Sequence, residues 1–178
     1  MKARALQEYD IKFVGLADGV HNFEYELTER FFKNMDYSEI DTTKLVAKVA
    51  LTRKANRLEF TATIRGFTRL RCDITDVPFE YPMQLTGKLL VKFGDEFDDT
   101  DDEIWIIPDG EHKFNVAQFL YEMTLVNIPL KKIHPKVSSG EMGAEALERL
   151  RKYSPENKTE EKKEEIDPRW NKLRDLLD

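Results

Sequence analysis

The sequence LRCDITDVPFEYPM, residues 70–83, forms a polar turn between two long stretches in which apolar and polar residues alternate. Successive side chains of a β-strand point to opposite faces, so this alternation is typical of half-buried strands paired in antiparallel fashion. The turn therefore predicts two long neighbouring strands that share one buried face. The residues of the buried parity are Leu58, Phe60, Ala62, Ile64, Leu70 and Cys72 before the turn, and Tyr81, Met83, Leu85, Leu89, Val91 and Phe93 after it.

The opposite parity of the first strand carries a basic row, which consists of Arg65, Phe67, Arg69 and Arg71. Alternate strand residues lie about 6.6 Å apart, so this row would extend about 20 Å along the strand. Arginine can bind phosphate with two parallel hydrogen bonds, and phenylalanine offers a ring on which an unpaired base can stack. The alternative is an ordinary solvated face with cross-strand ion pairs to Glu59 or Glu80. A bend at Gly66 would divide the row.

Local patterns indicate further elements. Alternation on either side of residues 15–19 predicts a first hairpin, and residues 53–57 form the predicted turn of a second. Helical spacing predicts helices over 28–35 and 140–153, and a longer helix that Asn115 caps and Pro129 ends. A short strand is expected to end at Pro108.

The fold class expected from these elements is α+β. We expect a strongly curved antiparallel β-sheet or a partly open barrel, with helices packed at one side and a flexible C-terminal tail ending in a short helix. A chain of 178 residues with 40% hydrophobic content can bury one core. We therefore predict a single domain over residues 1–153, a charged flexible linker over 154–166 and a short amphipathic helix over 167–178. The apolar stripe of that helix is Trp170, Leu173 and Leu177.

Charge is distributed in blocks of opposite sign. The formal net charge is -6, yet residues 44–92 contain ten basic and four acidic side chains. The next block, residues 95–103, is here called the acidic loop, and unpaired carboxylates at this density must be solvated. Its acidic residues are Asp95, Glu96, Asp98, Asp99, Asp101, Asp102 and Glu103.

The composition also indicates the cellular compartment in which the protein is expected. No apolar run approaches the length of a membrane span, and the charged N-terminus lacks the apolar segment of a secretory signal. The single cysteine rules out an intramolecular disulfide. We expect a cytoplasmic protein that does not enter a membrane.

Motifs for catalysis, metals and cofactors are scarce. His21, His112 and His134 lie in unrelated segments, and Cys72 has the inward parity expected of a core residue. The acidic loop lacks the EF-hand pattern, because Ile104 and Gly110 stand where that pattern needs glycine and glutamate. Neither a P-loop nor a dinucleotide-binding glycine motif is present. We predict that the protein is not an enzyme and has no metal, cofactor or small-molecule substrate.

Three motifs in the same order resemble the YceD-like family, whose members are associated with accumulation of large-subunit ribosomal RNA. The first is the turn at residues 70–83, in which Cys72 precedes Pro78 and Phe79; the second is LYEMTLVNIPLKKIHP, residues 120–135; the third is DPRWNKL, residues 167–173. Many family members carry a second cysteine where this chain has Thr75, and further cysteines later. The chain is therefore similar to a variant that lacks most of the family's cysteines.

The resemblance implies a non-enzymatic ribosome biogenesis factor that promotes accumulation or processing of large-subunit (23S) ribosomal RNA, by binding the precursor RNA. The residues predicted to contact RNA are Arg53, Lys54, Arg57, Arg65, Phe67, Arg69 and Arg71. The alternative is a protein-binding adaptor that engages a basic large-subunit ribosomal protein through the acidic loop. The residues predicted to contact such a partner are Asp98, Asp99, Asp101, Asp102, Trp170, Leu173 and Leu177.

Overall fold

A computed structural model describes residues 6–37, 40 and 42–153. A 3-10 turn, Gln7–Tyr9, precedes the first strand. The elements that follow are β1 (Asp10–Lys12), β2 (Gly19–Thr28), α1 (Glu29–Asn34), β3 (Thr42–Lys54), β4 (Arg57–Arg71), β5 (Pro78–Gly94), β6 (Ile104–Pro108), β7 (Lys113–Asn115), α2 (Ala117–Val126), α3 (Pro135–Ser138) and α4 (Ala144–Tyr153).

Within the described residues, the main sheet has five strands in the order β2-β3-β4-β5-β6. The first four strands are joined by antiparallel pairings, and β4 and β5 flank the turn that opens the sequence analysis. The predicted α+β class and the two long strands are confirmed. The predicted strong curvature of the sheet stays a prediction.

The last strand pair departs from the expected antiparallel arrangement, because β6 runs parallel to β5. After Gly94 the chain returns along the far side of β6, where Asp98 and Ile106 form an antiparallel bridge. It then turns and enters the sheet as β6, between β5 and the returning segment. The prediction of a wholly antiparallel sheet is therefore wrong at this edge, since a loop that doubles back reverses the direction of the next strand.

The predicted first hairpin is also wrong. β1 pairs with β7 rather than with β2, and Ile11 lies opposite Phe114 in a separate two-stranded sheet. The Asp10 carboxylate accepts hydrogen bonds from Lys113 and Asn115, at 2.6 and 2.7 Å, which ties these short strands together. β2 pairs instead with β3.

The core lies on one face of the main sheet. On β4 the residues Leu58, Phe60 and Ile64 are almost fully buried, as their parity predicts. Phenylalanines of α1 and α2 join the same cluster, and each large apolar side chain buried there contributes about 1.5–3 kcal/mol. A Cβ at Gly87 of β5 would lie 2.7 Å from Sδ of Met123, so α2 packs closely on the inner face. α1 and α2 therefore lie at one side of the sheet, as predicted for its helices.

The described residues after His134, from Pro135 to Tyr153, belong to a second compact unit. α3 leads into a turn in which the Met142 N–H donates to the Lys136 carbonyl at 3.0 Å. α4 begins at Ala144 rather than at the predicted residue 140, because Gly143 adopts a φ of 80° that ordinary helical residues avoid. The predicted linker, 154–166, and the predicted terminal helix, 167–178, lie outside the described residues. Among the helices described, none has the length and apolar character needed to cross a membrane.

Candidate nucleic-acid interface

The basic row lies on the face of the sheet opposite to the core. Arg65, Phe67, Arg69 and Arg71 share the outward parity of β4, and all three arginines are exposed. The pairing register runs without a break through Gly66, which lies opposite Leu45 of β3 and Met83 of β5. Gly66 therefore does not divide the row.

The centre of this surface is Phe67, which is half-buried. Its register partners are Lys44 on β3 and Pro82 on β5. Lys44 is exposed and is absent from the predicted set of RNA-binding residues, although its position could have been found by counting the register outward from the β3–β4 turn. We call Lys44, Arg65, Phe67 and Arg69 the basic face.

The cations of the basic face are available for an external ligand. Within the part of the chain that the structure describes, Lys44, Arg65 and Arg69 form no ion pair. Glu80 is the register partner of Arg69, but the two do not form a salt bridge. Arg71, at the end of the row, differs because its guanidinium lies 3.4 Å from the Asp76 carboxylate.

The other predicted basic residues form a hairpin group, which consists of Arg53, Lys54 and Arg57. Lys54 and Arg57 each donate a hydrogen bond of 2.7 Å to the Glu59 carboxylate, and these bonds hold the pKa of Glu59 below its usual range. Arg53 lies 3.3 Å from Asp18. The hairpin group is therefore already engaged in ion pairs, of which the Lys54–Glu59 pair crosses from β3 to β4.

The two groups lie at opposite ends of β4. Arg65 lies eight positions after Arg57, which corresponds to about 26 Å of extended strand. The structure therefore brings together the basic row and Lys44, but it does not bring them together with the hairpin group.

The acidic loop is exposed along its length and is ordered by its own side chains. The Asp98 carboxylate accepts hydrogen bonds from the N–H and hydroxyl of Thr100, and these bonds lower its pKa. Asp101 accepts from the N–H groups of Glu103 and Ile104 at 2.8 and 3.0 Å. Asp98 and Asp101 thus shape the loop.

Of the other residues predicted to contact a protein partner, the structure describes Asp99 and Asp102. Asp99 accepts a hydrogen bond of 3.1 Å from Gln118 of α2, and Asp102 is exposed. Trp170, Leu173 and Leu177 lie outside the described residues.

Cys72 is buried, as its parity predicts. Burial by itself raises the pKa of this thiol, but hydrogen bonds from the Thr75 side chain and from backbone N–H groups, including that of His134, outweigh it and lower the pKa. Across the described ranges, no group of three or more His, Cys, Asp or Glu side chains is placed to hold a metal ion.

The first two sequence motifs meet beside Cys72. The Asp73 N–H donates to the Lys132 carbonyl at 2.8 Å, and the Lys132 N–H donates to the Asp73 carboxylate at 2.6 Å. The rings of Phe79 and His134 lie 5.4 Å apart. Residues 70–83 and 120–135 are therefore parts of one local structure, although they are separate in sequence.

Residues 60–177 match the family model described as "Large ribosomal RNA subunit accumulation protein YceD". This range covers well over half of the chain and includes all three motifs. The chain belongs to the YceD family. The YceD match includes the whole basic row but begins after Lys44 and the hairpin group.

A curated relative matches a longer range of the chain. The Bacillus subtilis (strain 168) protein described as "Uncharacterized protein YlbN" is 29% identical over 152 residues, which is 85% of this chain and 84% of that protein. No solved structure shows a significant match to this YceD chain.

Proposed function

We propose that this YceD protein is a non-enzymatic, cytoplasmic ribosome biogenesis factor that promotes accumulation or processing of 23S ribosomal RNA by binding its precursor. The family description supports the ribosomal part of the proposal. The observation that carries the RNA-binding part is the basic face, where cations free of ion pairs with described residues surround a half-buried phenylalanine.

The chemistry of the basic face suits single-stranded or irregular RNA. Arg65 and Arg69 flank Phe67 on the same strand, so phosphates held by the guanidinium groups would place a base near the phenyl ring. Stacking of one base on an aromatic side chain is worth about 1–3 kcal/mol and is tolerant of sequence. Modest sequence preference is therefore expected.

The decisive experiment is charge reversal on the basic face. We expect Arg65→Glu with Arg69→Glu to weaken binding of a single-stranded precursor-rRNA fragment by more than about tenfold, because two phosphate contacts become repulsive. In a plot of log Kd against the logarithm of the salt concentration, the slope should also decrease by roughly 1.4, since each single-strand phosphate contact contributes about 0.7 to it. Affinities measured by fluorescence anisotropy at several salt concentrations give both quantities.

A matched control separates the basic face from general charge. Lys12→Glu with Arg30→Glu makes the same change at exposed positions on β1 and α1, and we expect affinity to fall less than about threefold. Equal losses in the two double variants would contradict a site on the basic face. So would unchanged RNA affinity in a folded Arg65→Glu, Arg69→Glu variant.

The acidic loop supports a second proposal, in which the protein acts as an adaptor for a basic large-subunit ribosomal protein. The supporting observation is that Asp98 and Asp101 order the loop and leave the other carboxylates exposed. Asp102→Asn with Glu103→Gln should weaken binding of purified basic ribosomal proteins without weakening binding of RNA. Retained binding of every basic ribosomal protein would argue against the adaptor.

A further inference from the structure

A cavity of about 450 Å³ opens beside the acidic loop. Its walls include Trp105 and Phe114, which are 3% and 4% exposed and lie with ring centres 5.8 Å apart. Phe97 of the acidic loop lies at the cavity and remains 55% exposed, with its ring edge-on to Trp105 at 6.5 Å. A concave site lined mainly by aromatic and apolar side chains is the usual form of a binding site in proteins.

The polar side chains around this cavity leave it with a negative rim. Lys113 lines the cavity, but its ammonium group is held 2.6 Å from the Asp10 carboxylate. Gln118, on the other side, donates to Asp99 at 3.1 Å and to Glu122 at 2.9 Å. Glu111 also lines the cavity and is exposed. The local field therefore favours a cationic ligand and disfavours the phosphates of RNA.

We infer that this cavity is a docking site for a protein segment in which one large apolar side chain is flanked by lysine or arginine residues. The inference rests on the proposed adaptor role and specifies its recognition chemistry. A cavity of about 150 Å³ is enough to hold benzene, so this one has room for an aromatic side chain together with part of its backbone. The carboxylates at the rim would pair with the flanking cations, as complementary charges do at protein interfaces.

The experiment uses the full chain and two synthetic peptides. Both are rich in lysine and arginine; one has a central phenylalanine and its twin has serine at that position. We expect the phenylalanine peptide to bind at least about tenfold tighter than its twin, because only it places an apolar ring in the cavity. Fluorescence anisotropy with labelled peptides measures the ratio.

Two variants test whether the cavity is the cause of that ratio. Phe97→Ala removes an exposed wall, and Leu6→Trp fills part of the cavity without removing a rim charge. In each variant we expect the preference for phenylalanine to fall below about threefold. Val14→Ala is the matched control, because Val14 is 58% exposed and does not line the cavity. This variant should prefer the phenylalanine peptide to the serine peptide as strongly as the wild type does.

The outcomes distinguish the inference from the adaptor proposal. If both peptides bind equally well, the cavity is not the docking site. If Asp102→Asn with Glu103→Gln also weakens both, the peptides bind the acidic loop by charge alone. Failure of both peptides to bind would overturn the two together. Self-association that Phe97→Ala abolishes would assign the cavity to a second copy of the chain. RNA binding that Phe97→Ala weakens would assign it to nucleic acid.

Discussion

Gly66 allows the close approach of β3 and β4 beneath the basic face. Its φ is 142°, and a Cβ at this position would lie 2.0 Å from the carbonyl oxygen of Lys44. We expect Gly66→Ala to lower the free energy of unfolding by roughly 2–4 kcal/mol, because both the backbone and its neighbour must shift. Urea denaturation followed by circular dichroism measures the change.

Gly110 offers the matched control for this substitution. Among the described residues other than Gly110 and its two chain neighbours, no atom lies within 4 Å of a Cβ built there, and the φ of Gly110 is not in the left-handed region. Gly110→Ala should change the free energy of unfolding by less than about 0.5 kcal/mol. Similar losses at the two glycines would show that the contact with Lys44 is not the cause.

Asp10 introduces a pH-dependent contact between β1 and β7. Partial burial by itself raises the pKa of this carboxyl, but hydrogen bonds from Lys113 and Asn115 outweigh it and lower the pKa below 3.8. A carboxyl with a lowered pKa in the folded state contributes stability that is complete above its unfolded pKa and is lost as pH falls through its folded pKa. Asp10→Asn should therefore cost about 1 kcal/mol at neutral pH, and less as pH falls below 3.8.

Unfolding of the wild type and the Asp10→Asn variant across the acidic range measures this difference. A difference that stays constant while the pH falls through that range would contradict the ion pair with Lys113 as its source. It would indicate instead that the amide disturbs packing between the two short strands.

At the scale of elements, β6 depends on the acidic loop that precedes it. Asp101 accepts hydrogen bonds from Glu103 and Ile104, the second of which begins β6. Asp101→Ala should lower the free energy of unfolding by about 1 kcal/mol, comparable to the loss of a helix cap, because two N–H groups lose their acceptor. Hydrogen exchange at the Ile104 amide should accelerate.

Asp102 is the control for this element, because its carboxylate makes no hydrogen bond with the residues that the structure describes. Asp102→Ala should leave both the stability and the exchange of Ile104 near their wild-type values. Equal acceleration in the two variants would show that net charge, rather than the accepted hydrogen bonds, controls the start of β6.

At the scale of the whole molecule, the described core cluster lies in the part of the chain before the C-terminal residues. Every member of the core cluster in the described part of the chain precedes residue 129. We therefore expect a chain ending at residue 153 to unfold in one cooperative transition with a Tm within about 3 °C of the full chain, a change of less than about 1 kcal/mol. Loss of cooperativity on truncation would show that residues 154–178 belong to the folding unit. Weaker association with pre-ribosomal particles would support the predicted docking role of Trp170, Leu173 and Leu177.

The alternation of residues alone determined both long strands and the buried parity of Leu58, Phe60, Cys72 and Met83, because the two faces of a strand differ in solvation wherever it pairs. Motif order alone indicated the YceD family. These properties are local, so they can be read without knowing which segments meet in space. The same reasoning could have placed Lys44 beside Phe67, since a tight turn determines the register of its hairpin.

Only the tertiary structure decided which strands pair and which charges meet. Alternation indicates which face of the sheet a residue occupies, but it does not indicate which strand lies next to its own. The predicted hairpin therefore paired β1 with β2, although β1 pairs with β7. The direction of β6 depends on a loop that doubles back. The hairpin group and the basic row looked alike in sequence, yet Glu59 binds Lys54 and Arg57, while neither Arg65 nor Arg69 forms a salt bridge with a carboxylate of the described residues. Ion pairing depends on distances of a few ångströms across strands, which residue order along one strand does not contain.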